Sequence, residues 1–191
     1  MKWKIPLFLV IIALVVFVMS AMARARGVAK TAMQKFVEYY IRLKNPNLSS
    51  DVVEKIASSA IKWCNERGVN LFSVLAIMQR ESWFNPKAEG DHVSRGLMQL
   101  TKTALNELVR VGYITGYDWD RLFDIDYNIQ HGTLYYLYCV RLAKGDRREA
   151  IARYRMTSQP YSPTAQQYAD SVLKIREEIV EEWNKMKARE G

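Results

Sequence analysis

The chain has 191 residues, of which 49% are hydrophobic and 12% aromatic, which argues against intrinsic disorder and fits one domain of ordinary size. Its formal charge is +8, and it falls to +6 without residues 1–23, which carry two lysines and no acidic residue. Such a basic surface suits a polyanionic partner, but no nucleic-acid-binding module is recognisable, so we expect no nucleic-acid partner.

The N-terminus is strongly apolar. Residues 5–23 contain no charged side chain and have basic residues on both sides. A stretch of about 19 apolar residues can span a bilayer, whereas the sequence Ala21-Met-Ala23 fits the small-residue cleavage pattern of a secretory signal. We therefore predict membrane contact through residues 1–23, either as a signal peptide or as a transmembrane anchor. No cysteine lies near the cleavage pattern, which argues against a lipoprotein.

Helical spacing of apolar residues continues after this segment. It covers residues 28–44 and is interrupted at residues 45–50, where asparagine, proline and serine cluster. We interpret residues 24–49 as a linker helix and residues 50–187 as the main domain.

The next two helices have recognisable ends. A serine, Ser49 or Ser50, can cap the first, and Gly68 can close it. Asn70 can cap the second, an apolar run that should end near Ser82 because a proline follows four residues later.

Glu81 lies in the last turn of this second helix. A carboxylate there feels the negative end of the helix dipole, and Trp83, Phe84 and Met98 could shield it from water. Both influences favour the protonated acid, which is the state that a general acid needs at neutral pH. Glycoside cleavage commonly uses such a glutamate. The alternative is a solvated glutamate at a helix end.

The rest of the chain also shows helical patterning. A polar, irregular segment occupies residues 85–95, and loops of this kind often carry binding groups. Further helices are predicted from Thr101 or Thr103 to about residue 111, and over residues 126–143, 149–155 and 164–187, with a loop at 112–120. Because no stretch shows sustained period-two alternation, we predict an all-α fold.

Metal and disulfide sites are weakly indicated. Cys64 and Cys139 are the only cysteines, and they could either pair after export or remain two free, buried thiols. With only His92 and His131 as histidines, no zinc spacing is recognisable, so we expect no metal.

Four aspartates in the region 118–126 raise the question of a calcium loop or a second catalytic carboxylate. Their spacing does not match an EF-hand, which needs a mid-loop glycine and a closing glutamate. We interpret these residues as helix caps: Asp118, Asp120, Asp124 and Asp126.

Four motifs follow one another along the chain. They are Glu81-Ser-Trp-Phe-Asn-Pro86, Gly96-Leu-Met-Gln99, the run 122–132 that contains Asn128 and Gly132, and Tyr135-Tyr-Leu. Their sequence and order resemble the lytic transglycosylase domain, a lysozyme-like fold related to goose-type lysozymes. The resemblance covers about residues 50–176 and implies an enzyme that cleaves peptidoglycan.

The resemblance implies a single catalytic carboxyl group, Glu81, and no cofactor. In lytic transglycosylases one glutamate protonates the β-1,4 glycosidic oxygen between N-acetylmuramic acid and N-acetylglucosamine. The resulting carboxylate then takes the proton of the muramyl 6-hydroxyl, so that a 1,6-anhydro sugar forms without water. The acetamido group of the substrate stabilises the charge between these steps.

The resemblance also implies substrate-binding residues. Met98 and Gln99 should line the cleft near Glu81, Tyr154 and Tyr168 should lie on the facing wall, and Ser82 could contact the sugar. Structural alternatives exist, because helix tyrosines commonly pack in cores and a serine at a helix end can satisfy the backbone.

Some positions depart from the family pattern. Arg155, Met156 and Thr157 replace the usual Asn-Ala-Gly after Tyr154. Thr164 stands where a glutamate is usual, and Gly90 where a serine is common. These departures concern saccharide contacts and not the proposed acid.

Two alternatives remain beside the transglycosylase. One is lysozyme-like hydrolysis, which would require a second carboxylate in the cleft. The other is an anchored scaffold that binds peptidoglycan without cleaving it. All three place the protein in the cell envelope, periplasmic or otherwise extracytoplasmic, either secreted or anchored to the inner membrane.

Overall fold

Helices dominate the fold, as the apolar spacing predicted. The computed structural model describes residues 30–91 and 93–190, and within them seven α-helices and one 3₁₀ turn occur. The helices are α1 (Ala32–Lys44), α2 (Ser50–Arg67), α3 (Leu71–Ser82), α4 (Lys102–Arg110), α5 (Ile125–Leu142), α6 (Arg147–Arg155) and α7 (Pro163–Glu190), and the 3₁₀ turn is Asp120–Phe123.

The predicted signal peptide or anchor at residues 1–23 lies outside the described residues. In the part of the chain that the structure describes, no helix combines the length and the apolar character needed to cross a bilayer.

The predicted helix ends around α3 are confirmed. The Ser49 side chain accepts a hydrogen bond from the Val52 N–H at the start of α2, and Gly68 ends that helix with φ = 64°. The Asn70 side chain accepts a hydrogen bond from the Ser73 N–H, so α3 begins at Leu71. These local signals fix where Glu81 falls on the last turn of α3.

The segment 24–49, interpreted as a linker, contains α1. From Gln34 onward the chain forms one compact unit, and Phe36 and Tyr40 of α1 are fully buried in it. The Phe36 ring lies 5.1 Å from the Trp183 ring of α7, between centroids, and the Tyr40 hydroxyl donates to Gln79 Oε1 of α3 at 2.7 Å. The helix therefore packs against the core instead of standing free of it.

The core forms around α3. This helix contacts α2 and α7, while α5 contacts α2 and α6, and α6 contacts α7. The five residues from Val74 to Met78 are fully buried, so α3 is enclosed on every face along this stretch. The packing of α3 therefore holds in place the backbone that carries Glu81.

The all-α prediction is confirmed, and a small antiparallel sheet accompanies the helices. Its strands are β1 (Glu89–Gly90), β2 (Ser94–Arg95) and β3 (Leu100–Thr101), in that order across the sheet. Two residues per strand are too few to produce a visible alternation of polar and apolar residues. The segment 85–95, expected to be irregular, thus carries two of the three strands.

Both cysteines are free and buried. Burial raises the pKa of the Cys64 thiol to about 12 and moves the pKa of Cys139 in the same direction. Of the two alternatives, the structure has two unpaired thiols, which behave as small apolar side chains.

The aspartates of region 118–126 act in different ways. Asp124 caps α5 by accepting from the Tyr127 N–H at 2.9 Å, as predicted. Asp118 accepts from the Asp120 N–H at the start of the 3₁₀ turn. The prediction was wrong for Asp126, whose Oδ1 accepts hydrogen bonds from Ser59 and Trp63 of α2 and so joins α5 to α2.

Candidate active site

A cavity of about 640 Å³ lies beside the C-terminal end of α3. Its walls come from α3, from the sheet, from α4 and α5, and from the end of α6 with the residues after it. The charged side chains among its lining residues are Glu81, Glu107 and Arg155. The elements that meet here are distant in sequence, so the cavity is a product of tertiary packing.

The turn after Glu81 has an uncommon backbone. Trp83 and Phe84 both have positive φ, at 51° and 60°, and the Trp83 N–H closes α3 by donating to the Gln79 carbonyl. Phe84 is consequently buried, with its ring against Tyr40, whereas Trp83 is 59% exposed. Of these two aromatic side chains, Phe84 packs in the core and Trp83 lies largely in solvent.

Burial has the largest effect on the pKa of the Glu81 carboxyl group. Loss of solvent raises the Glu81 pKa above its ordinary value, and the Tyr168 hydroxyl, Arg155 and Arg80 oppose this rise only in part. The net direction favours the protonated acid, as expected from the sequence. A carboxyl group of this kind, at the edge of a cavity, can donate a proton to a bound substrate near neutral pH.

Two buried tyrosines stand close to the acid. The Tyr154 hydroxyl donates to the Met98 carbonyl at 2.7 Å. The Tyr168 hydroxyl faces Glu81 and lowers the pKa of that carboxyl group, yet it completes no well-directed hydrogen bond with a described residue. Burial and the Glu81 charge hold the pKa of both phenols well above the ordinary value, so both stay neutral. The Tyr168 proton is thus available to the Glu81 carboxylate.

The turn Gly96–Gln99 is held by Asn128 of α5. Its Oδ1 accepts from the Met98 N–H at 2.9 Å, and its Nδ2 donates to the Arg95 and Leu122 carbonyls, also at 2.9 Å. Asn128 is 1% exposed, so its amide is satisfied wholly within the protein. These three hydrogen bonds of Asn128 hold the turn in the conformation in which Gln99 lines the cavity.

Gln99 lines the cavity, but its side-chain amide forms hydrogen bonds within the surrounding loop. Its Oε1 accepts from the Ser94 hydroxyl at 2.6 Å, and its Nε2 donates to the Ala88 and Gly96 carbonyls. A Cβ atom on Gly90 would lie 2.6 Å from Ser94 Oγ and 2.7 Å from Gln99 Oε1. The hydroxyl of Ser94 thus fills the space next to Gly90, the position where a serine is common.

Ser82 and Met98 lie behind the cavity wall. The Ser82 hydroxyl contacts the Met78 carbonyl at 3.0 Å and the Leu97 carbonyl at 2.8 Å, which ties α3 to the glycine turn. Met98 is fully buried against Gly132, where an added Cβ would lie 2.3 Å from its sulfur. Of the predicted substrate-binding residues, Gln99 and Tyr154 line the cavity and Tyr168 faces Glu81.

A second carboxyl group, Glu107, was not anticipated in the cavity. Hydrogen bonds from Arg110 and Tyr138 lower the Glu107 pKa to about 2, so this group is ionised. Thr103 and Glu107, four residues apart on α4, both line the cavity, but their spacing alone predicts only a shared helix face. None of the four aspartates at 118–126 lines this cavity.

The raised pKa of Glu81 predicts how stability depends on pH. Between the pKa of an unfolded glutamate and the raised folded value, the folded chain binds more protons, so this group lowers stability as pH rises. Glu81→Gln, which imitates the protonated acid, should therefore be more stable than the wild type at pH 7. Near pH 4 the two proteins should unfold alike. Thermal unfolding across pH 4–8 checks this, and a less stable variant at pH 7 would contradict it.

The fold and the cavity define a lysozyme-like helical protein with one half-buried acid at the end of its central helix. The Transglycosylase SLT domain model matches residues 58–170, more than half of the chain, and the chain belongs to that family. Its motifs at Glu81, Gly96–Gln99 and Asn128 all fall within this range. The search of curated proteins found no match.

Solved lytic transglycosylases share the fold. An inactive mutant of the lytic transglycosylase Slt from Pseudomonas aeruginosa is 22% identical, with a TM-score of 0.57 over 66% of this chain. The 70-kDa soluble lytic transglycosylase of Escherichia coli is 17% identical, with a TM-score of 0.57 over 75% of this chain. A complex of the 70-kDa soluble lytic transglycosylase with bulgecin A gives 21% identity and the same TM-score over 78%. The chain spans only 24–30% of these longer proteins.

Proposed function

We propose that this chain is a peptidoglycan lytic transglycosylase that cleaves the β-1,4 bond between N-acetylmuramic acid and N-acetylglucosamine. The observation that carries the proposal is the half-buried Glu81 carboxyl group, whose raised pKa suits a general acid and which lines the cavity. Membership of the SLT family supports the same substrate class. The substrate places the protein in the cell envelope, and contact with the membrane through residues 1–23 belongs to the same proposal.

The proposed reaction uses Glu81 twice. Its carboxyl proton passes to the glycosidic oxygen as the bond from that oxygen to the muramyl C1 breaks, and N-acetylglucosamine leaves with a free 4-hydroxyl. The substrate's acetamido group stabilises the positive charge at C1. Glu81, now a carboxylate, takes the proton of the muramyl 6-hydroxyl as its oxygen bonds to C1. The acid is regenerated and no water is consumed.

The surrounding residues support both states of Glu81. Burial favours the neutral acid that starts the reaction, whereas the Tyr168 hydroxyl and Arg155 favour the carboxylate that forms halfway. Opposing influences of this kind keep the pKa of a catalytic acid within reach of neutral pH. We propose that Gln99 and Tyr154 shape the wall against which the sugar lies, with Ser82 and Met98 supporting it from behind.

Lysozyme-like hydrolysis is the second candidate, and Glu107 is the observation that favours it. This ionised carboxylate lines the same cavity and could activate water. A carboxylate that activates water, as in an inverting hydrolase, lies roughly 6.5–9.5 Å from the acid, close enough for each charge to act on the other's pKa. Arg155 and Arg80, and not Glu107, are the charges that act most on the Glu81 pKa. Because Glu107 is also bound by Arg110 and Tyr138, the transglycosylase is the better supported function.

The identity of the product decides between the candidates. Purified peptidoglycan is digested with the protein, and the soluble muropeptides are analysed by mass spectrometry. We expect 1,6-anhydromuramyl ends, which are lighter by one water than reducing ends. Reducing muramyl ends would instead identify a hydrolase. Glycan that is bound but left intact would identify a scaffold.

A further inference from the structure

Arg155 is the one basic residue that lines the cavity among the described residues. It is exposed, and within residues 30–91 and 93–190 its guanidinium group has neither a hydrogen bond nor an ion pair. Other arginines near the cavity are engaged, since Arg153 pairs with Glu149 and Arg110 pairs with Glu107. Arg155 therefore presents to the cavity a positive charge that no hydrogen bond or ion pair of the described residues engages.

The backbone on both sides of Arg155 is held in place. The preceding residue, Tyr154, is buried and bound to the Met98 carbonyl. The turn that follows is fixed by a hydrogen bond from Arg153 to the Thr157 carbonyl at 3.0 Å and by another between the Thr157 and Tyr135 hydroxyls. Thr157 and Ser158 line the same wall and add hydroxyl groups. The guanidinium group of Arg155 is thus carried by a segment of the cavity wall whose backbone is fixed by hydrogen bonds on both sides.

The position of the Arg155 charge relative to Glu81 indicates which part of a substrate Arg155 contacts. Arg155 and Glu81 line the same cavity, and the positive charge of Arg155 lowers the pKa of the Glu81 carboxyl group. A ligand that fills this cavity meets both groups, so a substituent on the ring of the scissile bond can face Arg155 while Glu81 faces the glycosidic oxygen.

We propose that Arg155 binds a carboxylate carried on the 3-O-lactyl group of the muramyl residue that lies beside Glu81. This inference rests on the proposed function, since it is the muramyl ring whose C1–oxygen bond breaks. A planar guanidinium binds a carboxylate through two parallel hydrogen bonds, more specifically than a lysine does. The carboxylate has two sources. It is the lactyl acid itself in strands without stem peptides, and it belongs to the stem peptide in intact peptidoglycan.

The test compares four forms of the full-length protein: the wild type, Arg155→Gln, Arg155→Lys and the control Arg189→Gln. The control makes the same charge change at an exposed residue near the end of α7, outside the cavity. The substrates are intact peptidoglycan and amidase-treated, peptide-free glycan strands. Each is used as it is and after conversion of its carboxylates to neutral amides. Initial rates give kcat/KM, and co-sedimentation gives binding.

Arg155→Gln should lower kcat/KM about tenfold on a carboxylate-bearing substrate, which corresponds to one charge-assisted hydrogen bond. Amidated substrates should show no such loss, Arg155→Lys should recover part of it, and Arg189→Gln should match the wild type. A loss confined to peptide-free strands assigns the lactyl carboxylate, and a loss confined to intact peptidoglycan assigns the stem peptide. Equal rates for Arg155→Gln and the wild type, or equal losses on amidated substrates, would overturn the proposal.

The outcomes for Arg155 and for the transglycosylase activity are separable. A wild-type protein that releases no anhydromuramyl product refutes the proposed function. The co-sedimentation of Arg155→Gln with charged and amidated strands still decides whether Arg155 binds their carboxylates.

Discussion

Glu81→Gln is expected to lower the rate of glycan cleavage by about a thousandfold, because this one carboxyl group is proposed to act both as acid and as base. Glutamine keeps the size of the side chain and its fit beside Tyr168, but it can neither donate the proton nor accept it back. The measurement is the initial rate of anhydromuropeptide release, followed by mass spectrometry. The melting curve of the variant should remain cooperative, so that lost activity is not lost structure.

The matched control is Glu107→Gln, the same chemical change at the other carboxyl group of the cavity. Its carboxylate is engaged by Arg110 and Tyr138, so its loss should weaken the packing of α4 against α5 and leave most of the activity. If Glu107→Gln were as inactive as Glu81→Gln, a two-carboxylate hydrolase would be the better description. A Glu81→Gln variant that cleaves glycan at the wild-type rate would place the acid elsewhere.

The sequence was informative wherever a local signal decided the structure. Ser49, Gly68, Asn70 and Asp124 each satisfy backbone groups within a few residues, and for that reason the predicted ends of α2, α3 and α5 agree with the structure to within a residue. The direction of the Glu81 pKa shift was also predicted, and its largest cause is burial. Its detailed causes were not.

The features that the sequence did not reveal depend on contacts between distant elements. Glu107 and Arg155 reach the cavity from α4 and α6, and no spacing within either helix connects them to Glu81 on α3. The exposure of Trp83 depends on two consecutive residues with positive φ, a conformation that large side chains rarely adopt and that no pattern announces. Asp126 resembles a cap in sequence, but two hydrogen-bond donors on α2 claim its carboxylate.

The glycine turn that carries Gln99 is expected to be the most sensitive backbone position of the site. Gly96 has φ = 74°, and an added Cβ would lie 2.2 Å from the Leu122 carbonyl oxygen and 2.3 Å from Asn128 Nδ2. Gly96→Ala must therefore displace Asn128, whose three hydrogen bonds hold the turn. The disturbed hydrogen bonds of Asn128 and the cost of a left-handed alanine should together lower the free energy of unfolding by about 3 kcal/mol. For a domain of this size that corresponds to a melting temperature lower by roughly 10 °C.

Gly112→Ala separates the two contributions to this loss. Gly112 has nearly the same backbone angle, φ = 75°, but no atom lies within 4 Å of where its Cβ would be. That variant should lose only the conformational term, about 1 kcal/mol. The difference between the two variants in urea unfolding therefore measures the clash with Asn128. Equal losses of stability in the two variants would mean that the turn relaxes without disturbing Asn128. The hydrogen bonds of Asn128 would then not be needed to position Gln99.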